Sequence, residues 1–197
     1  MSFLLSLSRL IDAINGRIGR SVMWLVLIAV LISAGNALVR KIFHTSSNAF
    51  LEIQWYLFGA IFLLSGGYTF LRNDHVRIDV ISSRLSAKGR NIIDIVGIVL
   101  FMLPMAGLIL WLSWTPFMLS FQSGEISANA GGLVRWPARL IIPVGFLLLI
   151  LQAVSELIKR VAFLMDLIPD PLDRRGGPSA EDELAAVIKA KAEGGAK

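Results

Sequence analysis

Four stretches of this chain are apolar over nearly the length that crosses a bilayer, and they constrain the fold before any motif is read. They run Val22 to Val39, Phe50 to Leu71, Ile92 to Leu112 and Leu140 to Ile158. A hydrocarbon core of roughly 30 Å takes about 20 helical residues. Backbone groups find no water there, so a spanning segment is a helix or part of a closed barrel. Barrel strands alternate in polarity, whereas these runs are continuous. The chain therefore reads as an all-α membrane protein with four transmembrane helices. Its 55% hydrophobic and 17% charged residues agree with that reading.

A formal charge of +5 could suggest nucleic acid, but its distribution points elsewhere. Of the 19 lysines and arginines, 15 fall before the first span, between the second and third, or after the fourth. Only Arg40, Lys41, Arg135 and Arg139 fall on the other side. By the positive-inside rule both termini are expected to be cytoplasmic, and no nucleic-acid partner is expected.

Residues 1–20 place Phe3, Leu7, Leu10, Ile14 and Ile18 on one face, opposite Arg9, Asp12 and Asn15. That is the pattern of an amphipathic helix lying in the membrane interface. A signal peptide fits less well, because no cation precedes the apolar run and no small-residue cleavage site follows it. Residues 21–168 form the transmembrane domain, and 169–197 a mostly flexible cytoplasmic tail. Within the tail Ser179 and Asp182 resemble a capping box for a short helix to about Lys191.

The second span carries most of the information. Glu52 and Gln54 stand at its outer end, followed by Trp55 and Tyr56, then Gly66-Gly67, and near its inner end Tyr68, Arg72 and His75. Glu52 is either an interfacial residue in water or the partner of a cation on a neighbouring subunit. Pro104, amid the third span, predicts a kink. Asp94 suits the start of that span as a helix-dipole anion. Pro116 is expected to end the third helix, and Pro143 to lie in the first turn of the fourth.

Chemistry-bearing patterns are sparse. The chain has no cysteine and two histidines, His44 and His75, both expected in loops. Thiolate metal sites and paired axial haem ligands are thus excluded. Phosphate loops, zinc motifs and nucleophile elbows do not occur. Every charge is expected at or beyond a helix end, leaving no ionisable group at the midplane where transporters bind solute and ion. The expectation is a non-enzymatic membrane subunit without cofactors that packs against something larger.

Glu52, Trp55, Phe58-Gly59-Ala60, Gly67-Tyr68, Arg72 and the string His75-Val76-Arg77-Ile78-Asp79-Val80 together resemble a known family. So do Trp136-Pro137, Pro143-Val144-Gly145-Phe146 and Ser155-Glu156. The family is the small, DctQ-like membrane subunit of tripartite ATP-independent periplasmic (TRAP) transporters, and the likeness covers roughly residues 10–165. It implies a multi-pass subunit in a bacterial inner membrane. Its partners would be a large membrane subunit, which holds the substrate and sodium sites, and a periplasmic substrate-binding protein. Uptake would be sodium-coupled, with organic acids as substrates, and this subunit would brace the large one. Glu52, Trp55, Arg72, His75, Arg77 and Asp79 would then serve as partner-interface residues. The competing reading is a four-helix accessory or assembly subunit of another inner-membrane complex.

Overall fold

An apolar run buried in lipid must close its backbone bonds within itself, and these runs do so as helices. In a computed structural model that describes residues 1–44, 47–73 and 86–171, every regular element among those residues is helical. Helix α1 spans Ser2–Phe43, α2 Asn48–Arg72, α3 Ala87–Gly97, α4 Leu103–Ser123 and α5 Trp136–Leu164. A π-helical turn, Ile98–Met102, joins α3 to α4 in a single rod. Four rods are long and apolar enough to span a membrane: α1, α2, α3–α4 and α5.

Local chemistry sets several ends. His44 and Asn73 stop α1 and α2 in the left-handed conformation, at φ 50° and 59°, and Gly124 stops α4 at φ 61°. The Ser86 hydroxyl caps α3 by accepting the Gly89 N–H at 3.2 Å. The tail helix expected near Ser179 lies outside the described residues.

Helix α5 is the hub, packing against α1, α2 and α4 and burying more of its apolar length than any other span. Lipid gives helices no hydrophobic drive to associate, so close approach depends on small residues. A Cβ added at Gly145 would sit 2.7 Å from Leu63 Cβ. At Gly67 it would collide with Asn15 Oδ1, and at Gly19 with the Tyr68 ring. These three glycines let α5 meet α2, and α2 meet α1, nearly backbone to backbone.

Two expectations are corrected. Pro116 does not end α4, which continues to Ser123. A proline removes one donor only, and here an aromatic ladder carries the helix onward. It links Trp114 to Phe117 (ring centroids 5.6 Å apart), Phe117 to Phe121 (6.0 Å) and Phe121 to Trp136 of α5 (5.4 Å). Pro143 is interior to α5 and buried, because the helix starts at Trp136 and Pro137 occupies its first turn. Residues 1–20 are helical, as expected, and run without a break into the first span. Their polar face turns toward α5, where side chains can pair, and not toward water alone.

Candidate functional site

Polar groups gather at the two ends of the bundle. The end where α1 begins and α5 finishes is called basal here, and the opposite one the loop end. Twenty residues of α5, about 30 Å of helix, separate Trp136 at the loop end from Glu156 at the basal end. The two clusters therefore lie near opposite edges of a hydrocarbon core.

At the basal end Ser8, Asp12 and Asn15 recur at helical spacing on one face of α1 and meet Gln152, Ser155 and Lys159 on α5. Asp12 Oδ1 accepts from Ser155 Oγ at 2.7 Å and Gln152 Nε2 at 2.9 Å, while Lys159 Nζ reaches Asp12 Oδ2 at 2.9 Å. Lys159 also donates to Glu156 Oε1 at 2.6 Å. On the other side of Glu156, Arg160 Nη1 donates to Oε2 at 2.5 Å, and Arg160 Nη2 donates to Asp94 Oδ2 of α3 at 3.0 Å. Charges thus alternate along one path: Asp12, Lys159, Glu156, Arg160, Asp94.

Flanking this path, Asn15 Nδ2 donates to Gln152 Oε1 at 2.9 Å, and the Ser8 and Ser155 hydroxyls lie 2.7 Å apart. Ser8, Asn15, Gln152, Ser155, Glu156 and Arg160 are all buried. The expectation that every charge lies at or beyond a helix end is corrected here. Glu156 and Arg160 are buried within α5, tolerated because each is paired and hydrogen-bonded. Asp94 does more than complement a dipole, since it closes the α3–α5 contact.

At the loop end the segment between α4 and α5 folds over the start of α2. Glu52 is 6% exposed, and its carboxylate gathers three donors. Asn129 Nδ2 donates to Oε1 at 2.7 Å, the Leu133 N–H donates to Oε2 at 2.7 Å, and the Ser127 hydroxyl donates to Oε1. A carboxylate is an acceptor-only group, which matches this all-donor ring. Asn48 Nδ2 to Ala130 O (3.0 Å) and the Tyr56 hydroxyl to Val134 O (3.3 Å) fasten the same loop. Its base is held by Glu125, which pairs with Arg139 at 2.8 Å and Arg135 at 3.3 Å.

The six residues singled out from sequence are distributed as follows. Glu52 is spent within the chain, shaping the loop. Trp55, one turn on, is 72% exposed on the apolar surface. Arg72 is exposed and holds its guanidinium 6.0 Å from the Tyr68 ring centroid. His75, Arg77 and Asp79 lie outside the described residues. The sequence reading missed the basal cluster, whose signals were present: a polar i, i+4, i+7 face on residues 8–15, and Gln152 and Glu156 inside an apolar run.

Among the described residues no group of three or more His, Cys, Asp or Glu side chains is arranged to hold a metal ion. Within each end the polar groups pair with one another, an arrangement suited to holding helices in place. A family model described as "Tripartite ATP-independent periplasmic transporters, DctQ component" matches residues 28–163. No curated protein and no solved structure matches the chain significantly.

Proposed function

The chain belongs to the DctQ component family of tripartite ATP-independent periplasmic transporters, and we propose that it serves such an importer as its non-catalytic small membrane subunit. In this reading it sits in a bacterial inner membrane with both termini cytoplasmic, so the basal cluster faces the cytoplasm and the loop end the periplasm. The surplus of lysine and arginine on the basal side supports that orientation. It braces a large membrane subunit that carries substrate and sodium, and the complex takes up organic acids delivered by a periplasmic binding protein.

The observation that carries the bracing role is the contrast between the ends and the flanks of the bundle. Polar side chains at both ends are engaged with one another across helices. The flanks expose large apolar residues, Trp24, Leu31, Phe62, Phe101 and Trp111 among them. Such a body is internally fixed and externally adhesive, as a scaffold needs to be. Trp55 supports contact with the large subunit near the loop end, and Glu52 contributes by shaping the loop beside it. Arg72 extends the proposed interface at the basal end, and His75, Arg77 and Asp79 are proposed as further interface residues.

Two measurements test this. Affinity purification of the tagged chain in mild detergent is expected to recover a much larger membrane protein. Proteoliposomes holding that protein and the binding protein are expected to show sodium-driven organic-acid uptake only when this chain is present. Recovery of respiratory or secretion components, or solute flux from this chain alone, contradicts the reading.

A further inference from the structure

The π-helical turn leaves one backbone acceptor, the Val99 carbonyl, without a helical donor in the middle of a membrane span. The α-helical donor for the Val99 carbonyl is the Leu103 N–H, which bonds to Ile98 O. In the π register the donor for the Val99 carbonyl would be position 104, and proline has no N–H. Leu100 lies 11 residues from Trp111, about 16 Å of helix, and six residues, about 9 Å, from the Asp94–Arg160 pair. At that depth neither headgroups nor bulk water supply a donor. Residues 95–108 contain no serine or threonine that could bond back to the helix.

The turn is also uncovered. Leu100 is 62% exposed and Phe101 72% exposed. Beside it runs an open groove of about 540 Å³ between α2 and α4, lined by Gly66 and Thr69, Met102 and Met105, and floored by Gly145 and Leu149 of α5. A Cβ added at Gly66 or Gly107 would meet no atom within 4 Å, so another backbone can come close there.

We infer that the face formed by Val99–Phe101 and this groove is the seat of a transmembrane helix of a partner protein, which donates a side-chain hydrogen bond to the Val99 carbonyl. A lipid acyl chain fills apolar space but has no donor, so the unmet Val99 carbonyl selects a polar side chain carried on a protein helix. The inference rests on the function proposed above, in which that partner is the large membrane subunit.

The chain has no cysteine, so a single introduced thiol reports one position. Phe101→Cys and, on α1, Leu31→Cys would each be labelled with a benzophenone maleimide in membranes that contain the whole complex. Illumination is expected to join Phe101→Cys to the large subunit several-fold more efficiently than Leu31→Cys. Pro104→Ala, which supplies the i+5 donor for the Val99 carbonyl, is expected to lower recovery of the large subunit several-fold while the isolated chain keeps its melting temperature. If the wild-type chain recovers no larger membrane protein, the transporter reading itself fails. If the partner is recovered but adducts form from Leu31→Cys instead, from neither position, or with lipid alone, this interface is wrong and that reading stands. Undiminished recovery with Pro104→Ala also overturns the interface.

Discussion

The Asp12 carboxylate and the Lys159 ammonium meet at 2.9 Å although 147 residues of chain separate them. The contact makes the first turns of α1 part of the bundle. Ser8 with Ser155, and Asn15 with Gln152, hold the same turns. Because Lys159 also touches Glu156, which in turn holds Arg160, the contact belongs to a network that ties three helices. Such networks are costly to break from one side, since the group left behind stays buried.

Lys159→Met tests that cost. It leaves Asp12 and Glu156 facing each other without the ammonium between them. Destabilisation of about 3 kcal/mol is expected, the lower end of the range for a broken buried pair, because Asp12 is partly exposed. Asp12→Asn should cost less, since an amide oxygen still accepts from Ser155 and Gln152. Thermal unfolding in detergent measures both, and the double variant should lose less than the sum of the two. Additive losses would mean that the pair does not couple.

How far the sequence could be read depended on the distance between partners. Span number and helical class followed from continuous apolar runs, a local property that tertiary contacts do not change. Asp12 and Asn15 were visible as a polar face, but a single helix does not say whether that face meets water or another polar face. Gln152, buried amid the α5 run, was the clue that it meets a partner. Glu52 posed the same problem at the other end, because its donors come from a loop 75 to 81 residues away. The π-helical turn just ahead of Pro104 was not legible either, because no residue count along the chain reveals a change of hydrogen-bond register.

Glu52→Gln should loosen the loop without unfolding the bundle. One carboxylate oxygen becomes an NH2 donor, which must then face either the Leu133 N–H or the Ser127 and Asn129 donors. Losing a charge-assisted bond of this kind costs about 1.5–3 kcal/mol. Hydrogen exchange at the Leu133 amide is expected to rise by about tenfold or more, that factor corresponding to roughly 1.4 kcal/mol. Exchange in α5 should not change. Equal protection of Leu133 in both proteins would show that Glu52 does not hold the loop.

Glycines at crossings and glycines on open faces should respond oppositely to the same substitution. Gly19→Ala drives a methyl into Tyr68, and Gly67→Ala drives one into Asn15 and the Leu148 carbonyl. Each is expected to cost about 1–3 kcal/mol as overpacking. Gly59→Ala and Gly66→Ala meet nothing within 4 Å and gain helix propensity, so the isolated chain should be unchanged or up to about 1 kcal/mol more stable. Melting temperatures of the four variants, measured without partners, separate the two groups. Similar losses in all four would mean that the helix crossings are not where these glycines place them.

Gln152 both donates and accepts within the basal cluster. Its Nε2 donates to Asp12 and Glu156, and its Oε1 accepts from Asn15. Gln152→Leu keeps the volume and removes all three bonds, yet Asp12 retains Ser155 and Lys159. A loss of about 1 kcal/mol is expected, in line with the modest value of interhelical hydrogen bonds in membranes. Gln152→Glu is nearly isosteric but sets a third carboxylate between two others, so at neutral pH it should be the more damaging variant. Acidification reverses part of that difference, because the introduced carboxyl, once protonated, again offers a donor to its neighbours. The stability gap between Gln152→Glu and wild type should therefore narrow as pH falls, while the gap for Gln152→Leu shows no such recovery. A gap for Gln152→Glu that stays constant with pH would place position 152 outside the electrostatic reach of Asp12 and Glu156.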